Sequence, residues 1–189
     1  MTTWSYDPRF PWDEHDEALR TSYRDELQGL IAQFARGEID YADRELQRVS
    51  SQLTRTNLRR YTDPDPPTNR LYVAGFHGGH GWYVKAGKAA PGVWENRVKQ
   101  HRRIARVHGY VATGLWVSPW LEPSQVSGVE TQLLNSLYLE CMRLAHSHAI
   151  PEEDRHDFRR DGEYFIGMHF DEAEPVAENV IRTLAEHPV

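Results

Sequence analysis

Apolar positions in the first 60 residues recur at intervals of three and four. Leu19, Tyr23, Leu27, Leu30, Ile31 and Phe34 fall on one stripe, which predicts an amphipathic helix that Gly37 stops. Ala42, Leu46, Val49 and Leu53 repeat the pattern behind Asp40, a candidate N-cap, so the two stripes predict a helical hairpin over residues 1–60. Residues 61–70 (YTDPDPPTNR) hold three prolines, which cannot continue either helix, and the domain boundary is expected there. From residue 71 the period changes. Leu71 to Phe76 and Trp82 to Ala86 are β-prone runs around the glycine-rich turn HGGHG, which predicts a β-hairpin. A helix opening at Pro91 and Gly92 reaches about Val107, Tyr110 to Ser118 reads as a third strand, and Val126, Val129, Leu133, Leu137 and Leu144 stripe a long helix from Ser124 to His148. Residues 151–161 are a charged loop, Glu163 to Met168 a short fourth strand, and Asp171 with Glu174 resembles a capping box for a last helix. The expected order is ββαβαβα behind a helical hairpin. That is an α/β (α+β) chain with a small, mainly antiparallel central sheet flanked by helices.

Composition narrows the class. At 189 residues, the chain can bury a core without staples, and 39% hydrophobic with 26% charged residues describes a polar globular protein. No apolar run approaches the roughly 20 residues of a bilayer-spanning helix. Residues 1–12 lack the pattern of a signal peptide, so a cytoplasmic location is expected. The lone Cys141 excludes an internal disulfide framework and a cysteine-rich zinc site. Net charge is −6, which argues against nonspecific coating of nucleic acid, yet Val84 to Gly109 carries Lys85, Lys88, Arg97, Lys99, Arg102, Arg103 and Arg106 against Glu95 alone. This basic segment is either a solvated helix face or a place that engages phosphates.

The candidate chemistry gathers around that segment. Tyr83 and Lys85 alternate onto one face of the second strand, with Tyr72 on the first. Arg97 and His101, four apart, share a face of the following helix. Glu130 lies inside the apolar stripe of the long helix, where a carboxylate requires a partner: a cation, Arg97, or an internal hydrogen-bond network. The pairs His77 with His80 and His146 with His148 lack the spacing and third ligand of a zinc hydrolase, and are expected in a loop and on the surface respectively. No Gly-x4-Gly-Lys-Ser/Thr loop and no serine elbow is present.

From Leu71 to Leu184 these features resemble the GIY-YIG nuclease superfamily. Leu71-Tyr72-Val73 and Tyr83-Val84-Lys85-Ala86-Gly87 correspond to its two strand motifs, followed by Arg97 and His101 and then Glu130. The branch it looks most similar to carries a Lys-x-Gly-Lys second motif, as in Lys85-Ala86-Gly87-Lys88, and a Glu-Tyr-Phe strand like Glu163-Tyr164-Phe165. Leu71 stands where the family has a leading glycine, and either Tyr83 or Lys85 fills the second catalytic position. The resemblance implies a DNA endonuclease using Mg²⁺ or Mn²⁺, with Tyr72 orienting or deprotonating water, Arg97 forking phosphate oxygens, His101 holding Tyr72 or the water, and Glu130 as the metal ligand. For Tyr72 to act as phenolate, neighbouring Lys85, Lys88 or the metal would have to lower a pKa that is ordinarily near 10. Lys88, Lys99, Arg102, Arg103, Arg106 and Trp94 are the expected nucleic-acid contacts, with Trp82 and Trp94 placed to stack on unpaired bases. One small site must cut twice or dimerise to break a duplex, so nicking or single-strand cleavage is expected. The N-terminal helices offer faces for a second copy or a protein partner. The rival expectation is a noncatalytic nucleic-acid-binding or docking module on the same fold.

Overall fold

The computed structural model describes residues 5–6, 15–62, 69–90, 93–147 and 158–186. Its elements run β1 (Ser5–Tyr6), α1 (His15–Ala35), α2 (Arg44–Thr56), β2 (Leu58–Thr62), β3 (Arg70–Gly78), β4 (Gly81–Ala89), α3 (Trp94–Val107), β5 (Tyr110–Val117), α4 (Pro123–Ala145), β6 (Arg159–Asp161), β7 (Tyr164–Ile166) and α5 (Phe170–Glu186). The strands form one sheet in the order β1-β2-β5-β3-β4-β7-β6. Only the β2–β5 pair is parallel among the described strands. The chain is therefore α+β, as its pattern predicts.

The hairpin β3–β4 is the centre of the molecule. Its register pairs Tyr72 with Gly87, Ala74 with Lys85 and Phe76 with Tyr83, which puts those residues on one face. Leu71, Val73, Val84 and Ala86 occupy the other face, and join Trp116, Leu133, Leu137, Phe165, Phe170 and Ile181 in the main core beneath α4 and α5. Two glycines admit α5 to that face. A Cβ on Gly75 would lie 2.5 Å from Phe170 Cβ, and one on Gly114, its register partner on β5, 2.3 Å from Phe170 Cδ1. The Phe170 ring thus rests directly on the backbone of the two central strands. The face bearing Tyr72 carries a smaller cluster with Val98 and Ala105 of α3.

The N-terminal hairpin is docked rather than free. Leu27, Ile31, Leu46, Val49 and Leu53 close a third cluster on Val111 of β5, and the Ser50 and Thr54 hydroxyls donate to the Ala112 carbonyl at 2.8 and 3.0 Å. Asp43, not Asp40, caps α2, its carboxylate accepting from the Glu45 and Leu46 N–H groups. Leu19 is 40% exposed although its spacing places it on the inward stripe. Arg20 is buried in its stead, 3.6 Å from Glu174, and Arg24 pairs with Asp171, so the first half of α1 turns a basic face to the acidic start of α5.

Those ion pairs also correct the expected capping box. The His169 N–H donates to Glu172 Oε2 at 2.7 Å, while Asp171 and Glu174 serve α1. Helix does not run to residue 60: Leu58–Thr62 is a strand, invisible to periodicity because LRRYT has no alternation of apolar positions. The expected boundary is flanked by strands, with Tyr61 and Thr62 in β2 and Arg70, 1% exposed, opening β3, where it donates to Ser118 O and lies 3.8 Å from the Trp120 ring. Residues 63–68 and 151–157 lie outside the described residues. Residues 159–161 of the expected charged loop form β6 instead. No helix among the described residues is long and apolar enough to cross a membrane.

Candidate functional site

Tyr72 is the centre of the site. It is 1% exposed, and its phenolic oxygen lies 2.9 Å from His101 Nε2 across the gap between β3 and α3. Burial pushes the phenol up to about 12, against the nearby positive charge of Arg97. Burial, then Lys85 and Arg97, pull His101 down to about 4. At neutral pH the phenol therefore keeps its proton and the imidazole is uncharged, so Tyr72 O–H donates to His101 Nε2 when the ring proton is on Nδ1 and accepts from it when the ring proton is on Nε2. The lowering that a phenolate would require is not met by the protein's own cations, because burial outweighs Arg97.

Beside Tyr72 the register brings Lys85, 4% exposed, its ammonium paired with Glu163 and 4.8 Å from the centre of the Tyr164 ring. Burial and Arg97 draw this lysine down to about 8, with Glu130 opposing. Of the two candidates for the second catalytic position, Lys85 feels the Arg97 and Glu130 charges. Tyr83 stands in an aromatic group instead, stacked on Phe76 at 4.8 Å with Tyr110 edge-on at 4.9 Å, its hydroxyl raised by burial.

Glu130 does not stand alone in the apolar stripe. Its carboxylate, 13% exposed, accepts from Lys88 Nζ at 2.8 Å, and Lys88 also reaches Ser127 Oγ at 3.0 Å. The carboxylate partner is thus Lys88 and not Arg97, although Glu130 remains in electrostatic range of both Tyr72 and Lys85. Arg97 is exposed on α3, with a 3.3 Å contact to Gln100.

Gly87 joins these parts. A Cβ there would stand 3.0 Å from the Tyr72 hydroxyl and 3.5 Å from Glu163 Oε2, so the missing side chain brings phenol, lysine and a second carboxylate together. Glu163 was not singled out from sequence as a site residue. Its signal was the adjacency to Tyr164, the register partner of Lys85. Among the described residues no three His, Cys, Asp or Glu side chains gather as a metal cluster. A divalent ion at this face would rest on the Glu130 carboxylate with water completing its shell. That hard-oxygen donor suits magnesium once the exposed Lys88 swings aside.

The basic residues of α3 divide between two flanks. Arg97 and His101 serve Tyr72. Arg106 stacks over Tyr41 at 5.0 Å, and Arg102 and Arg103 also line concavities beside Tyr41 in the turn before α2. Lys99 is exposed, and the Trp94 side chain lies outside the described residues. Trp82 offers no face to a base: His77 stacks on one side at 3.7 Å and His169 lies 4.1 Å away, with rings nearly parallel. His77 itself is not a loop residue but a buried member of β3, 6% exposed, held to Gly81 O through Nδ1, whereas His80 and His146 are exposed and His148 lies outside the described residues.

Comparison of the chain with family models, curated proteins and solved structures finds no match.

Proposed function

We propose that this chain is a metal-dependent endonuclease that hydrolyses phosphodiester bonds in DNA, using the face of β3 and β4 beside α3. The observation that carries the reading is the Tyr72–His101 hydrogen bond at 2.9 Å with Lys85, Arg97 and Glu130 all in electrostatic range. With the His101 ring proton on Nδ1, the protonated phenol donates to the neutral imidazole and the pair is a proton relay. A water gives a proton to Tyr72 Oη as the phenolic proton passes to His101 Nε2, the hydroxide oxygen bonds to phosphorus as the P–O bond to the leaving strand breaks, and the departing alkoxide takes a proton from solvent water. Arg97 holds two non-bridging oxygens with its planar fork, and Lys85 adds charge against the phosphorane-like transition state. Glu130 would hold Mg²⁺ or Mn²⁺, which would supply further stabilisation of the negative charge that develops on the phosphate.

A second reading, a noncatalytic nucleic-acid-binding module, is favoured by one observation. Both carboxylates beside Tyr72 are already neutralised by lysines, Glu130 by Lys88 and Glu163 by Lys85. Cleavage of labelled single-stranded, duplex and branched DNA with Mg²⁺, Mn²⁺ or EDTA separates the two. The nuclease predicts metal-dependent cutting that Tyr72→Phe, His101→Phe and Glu130→Gln each reduce about a hundredfold or more. No cutting of any substrate, with salt-sensitive binding that Arg97→Ala weakens, would replace it with the binding module.

A further inference from the structure

A second polar concavity opens between α2, β5 and α3, with a volume of about 410 Å³. That is within the range of small-molecule pockets and far more than an inorganic anion fills. Its lining includes Arg55 of α2 and Arg102 of α3, Tyr41 and Ser51, and the apolar side chains Ala112 and Leu115 of β5. No aspartate or glutamate lines it, and among the described residues neither arginine has a carboxylate within ion-pair distance. Arg20, Arg24, Arg36, Arg48 and Arg143 by contrast face acids. Arg102 keeps an accessible surface, yet the cleft wall withdraws enough water to draw its guanidinium below the usual arginine value. In a chain of net charge −6, two guanidinium groups lining one cleft with no acid in its lining leave a place for an anion.

We infer that this cleft binds a phosphate monoester of mononucleotide size, its phosphate held between Arg55 and Arg102 and its flat ring laid over Ala112 and Leu115. Two planar forks match the tetrahedral oxygens of a terminal phosphate, and the apolar side chains match a heteroaromatic ring that an inorganic ion lacks. The ligand is either a free nucleotide or the phosphorylated end of a strand, which share this chemistry. The inference does not rest on the nuclease reading, because neither Tyr72, His101 nor Glu130 lines the cleft.

Calorimetric titration of the full chain with dAMP, deoxyadenosine, inorganic phosphate, and a short oligonucleotide with and without a 5′-phosphate tests it without any cleavage assay. The expected result is saturable dAMP binding that Arg102→Gln and Arg55→Gln each weaken about tenfold or more. Arg182→Gln, an equal loss of charge at an exposed position of α5, leaves that binding unchanged. Deoxyadenosine and inorganic phosphate bind at least about tenfold more weakly than dAMP, since each reads half the cleft. Preference for the 5′-phosphorylated oligonucleotide over dAMP would support the site and identify a strand end as its ligand; the reverse would support it and identify a free nucleotide. Absence of dAMP binding, binding indifferent to both arginine variants, or phosphate binding as well as dAMP would overturn the inference. The two arginines lie on different elements and hold no ion pair, so each variant serves as the folding control for the other.

Discussion

The two faces of the β3–β4 hairpin are built from alternate residues of the same strands and treat polar groups in opposite ways. On the face covered by α4 and α5, Leu71, Val73, Val84 and Ala86 meet two helices and the Phe170 ring, and the core there is continuous and apolar. On the face covered by α3 the same strands present Tyr72, Tyr83 and Lys85, and the cover contributes His101 and Arg97. The lesson is that one face carries the stability and leaves the other free to hold groups that burial disfavours. A buried lysine drawn down to about 8 is a cost to folding at neutral pH, borne because the opposite face is saturated, whereas the phenol driven up to about 12 is uncharged there in both states.

The strongest test of that division is on the apolar face. Trp116 is fully buried there, its indole N–H donating to Glu178 Oε1. Trp116→Ala is expected to lower stability by about 3 to 5 kcal/mol in denaturant titration. A loss below about 1 kcal/mol would mean that the α4–α5 side does not carry the fold. Next comes acid. His77, on the apolar face and 6% exposed, is drawn down to about 4 by burial, against 6.5 in the unfolded chain. Between those values the unfolded chain binds more protons than the native one, so stability falls as pH drops from about 6.5 to about 4. His77→Gln should flatten the fall by about 2 to 3 kcal/mol, read as the difference between stability curves at pH 7 and pH 4.

The smallest effect, and the one that sharpens the contrast most, is on the polar face. Lys85→Met removes a charge that is 4% exposed and leaves Glu163, about half exposed, to water. Stability at pH 7 should hold or rise by about 1 kcal/mol while cleavage is lost. The native lysine titrates near 8 and the unfolded one near 10.5, so wild-type stability rises with pH between those values, and the variant should lose that rise. A marked drop in stability at pH 7 would show that Lys85 holds the fold rather than the site.

Much of this architecture is readable along the chain. The β3–β4 hairpin, α3, β5, α4 and α5 follow from period and turn residues, because each buries a face set by its own local repeat. The pairing of Tyr72 with the Lys85 side of β4 follows from the same alternation. Where local pattern and final burial part company, a distant partner decides. Leu19 is exposed and Arg20 buried because α5 brings Asp171 and Glu174 to α1. Leu58–Thr62 becomes a strand because β5 offers an open edge, not because its residues alternate.

The candidate site divides in the same way. Its residue types were legible: the phenol of Tyr72, the helical pair Arg97 and His101, the carboxylate of Glu130 within an apolar stripe. Their bonds were not. Tertiary packing alone brings the Tyr72 hydroxyl to His101, gives Glu130 to Lys88 instead of Arg97, moves Tyr83 into an aromatic stack, closes Trp82 between two histidines and brings Glu163 to Lys85. The physical reason is range. Periodicity reports which way a side chain faces, a property of a few neighbouring residues, whereas partner and protonation state depend on groups that are remote in the chain and on how much water the packing between them excludes.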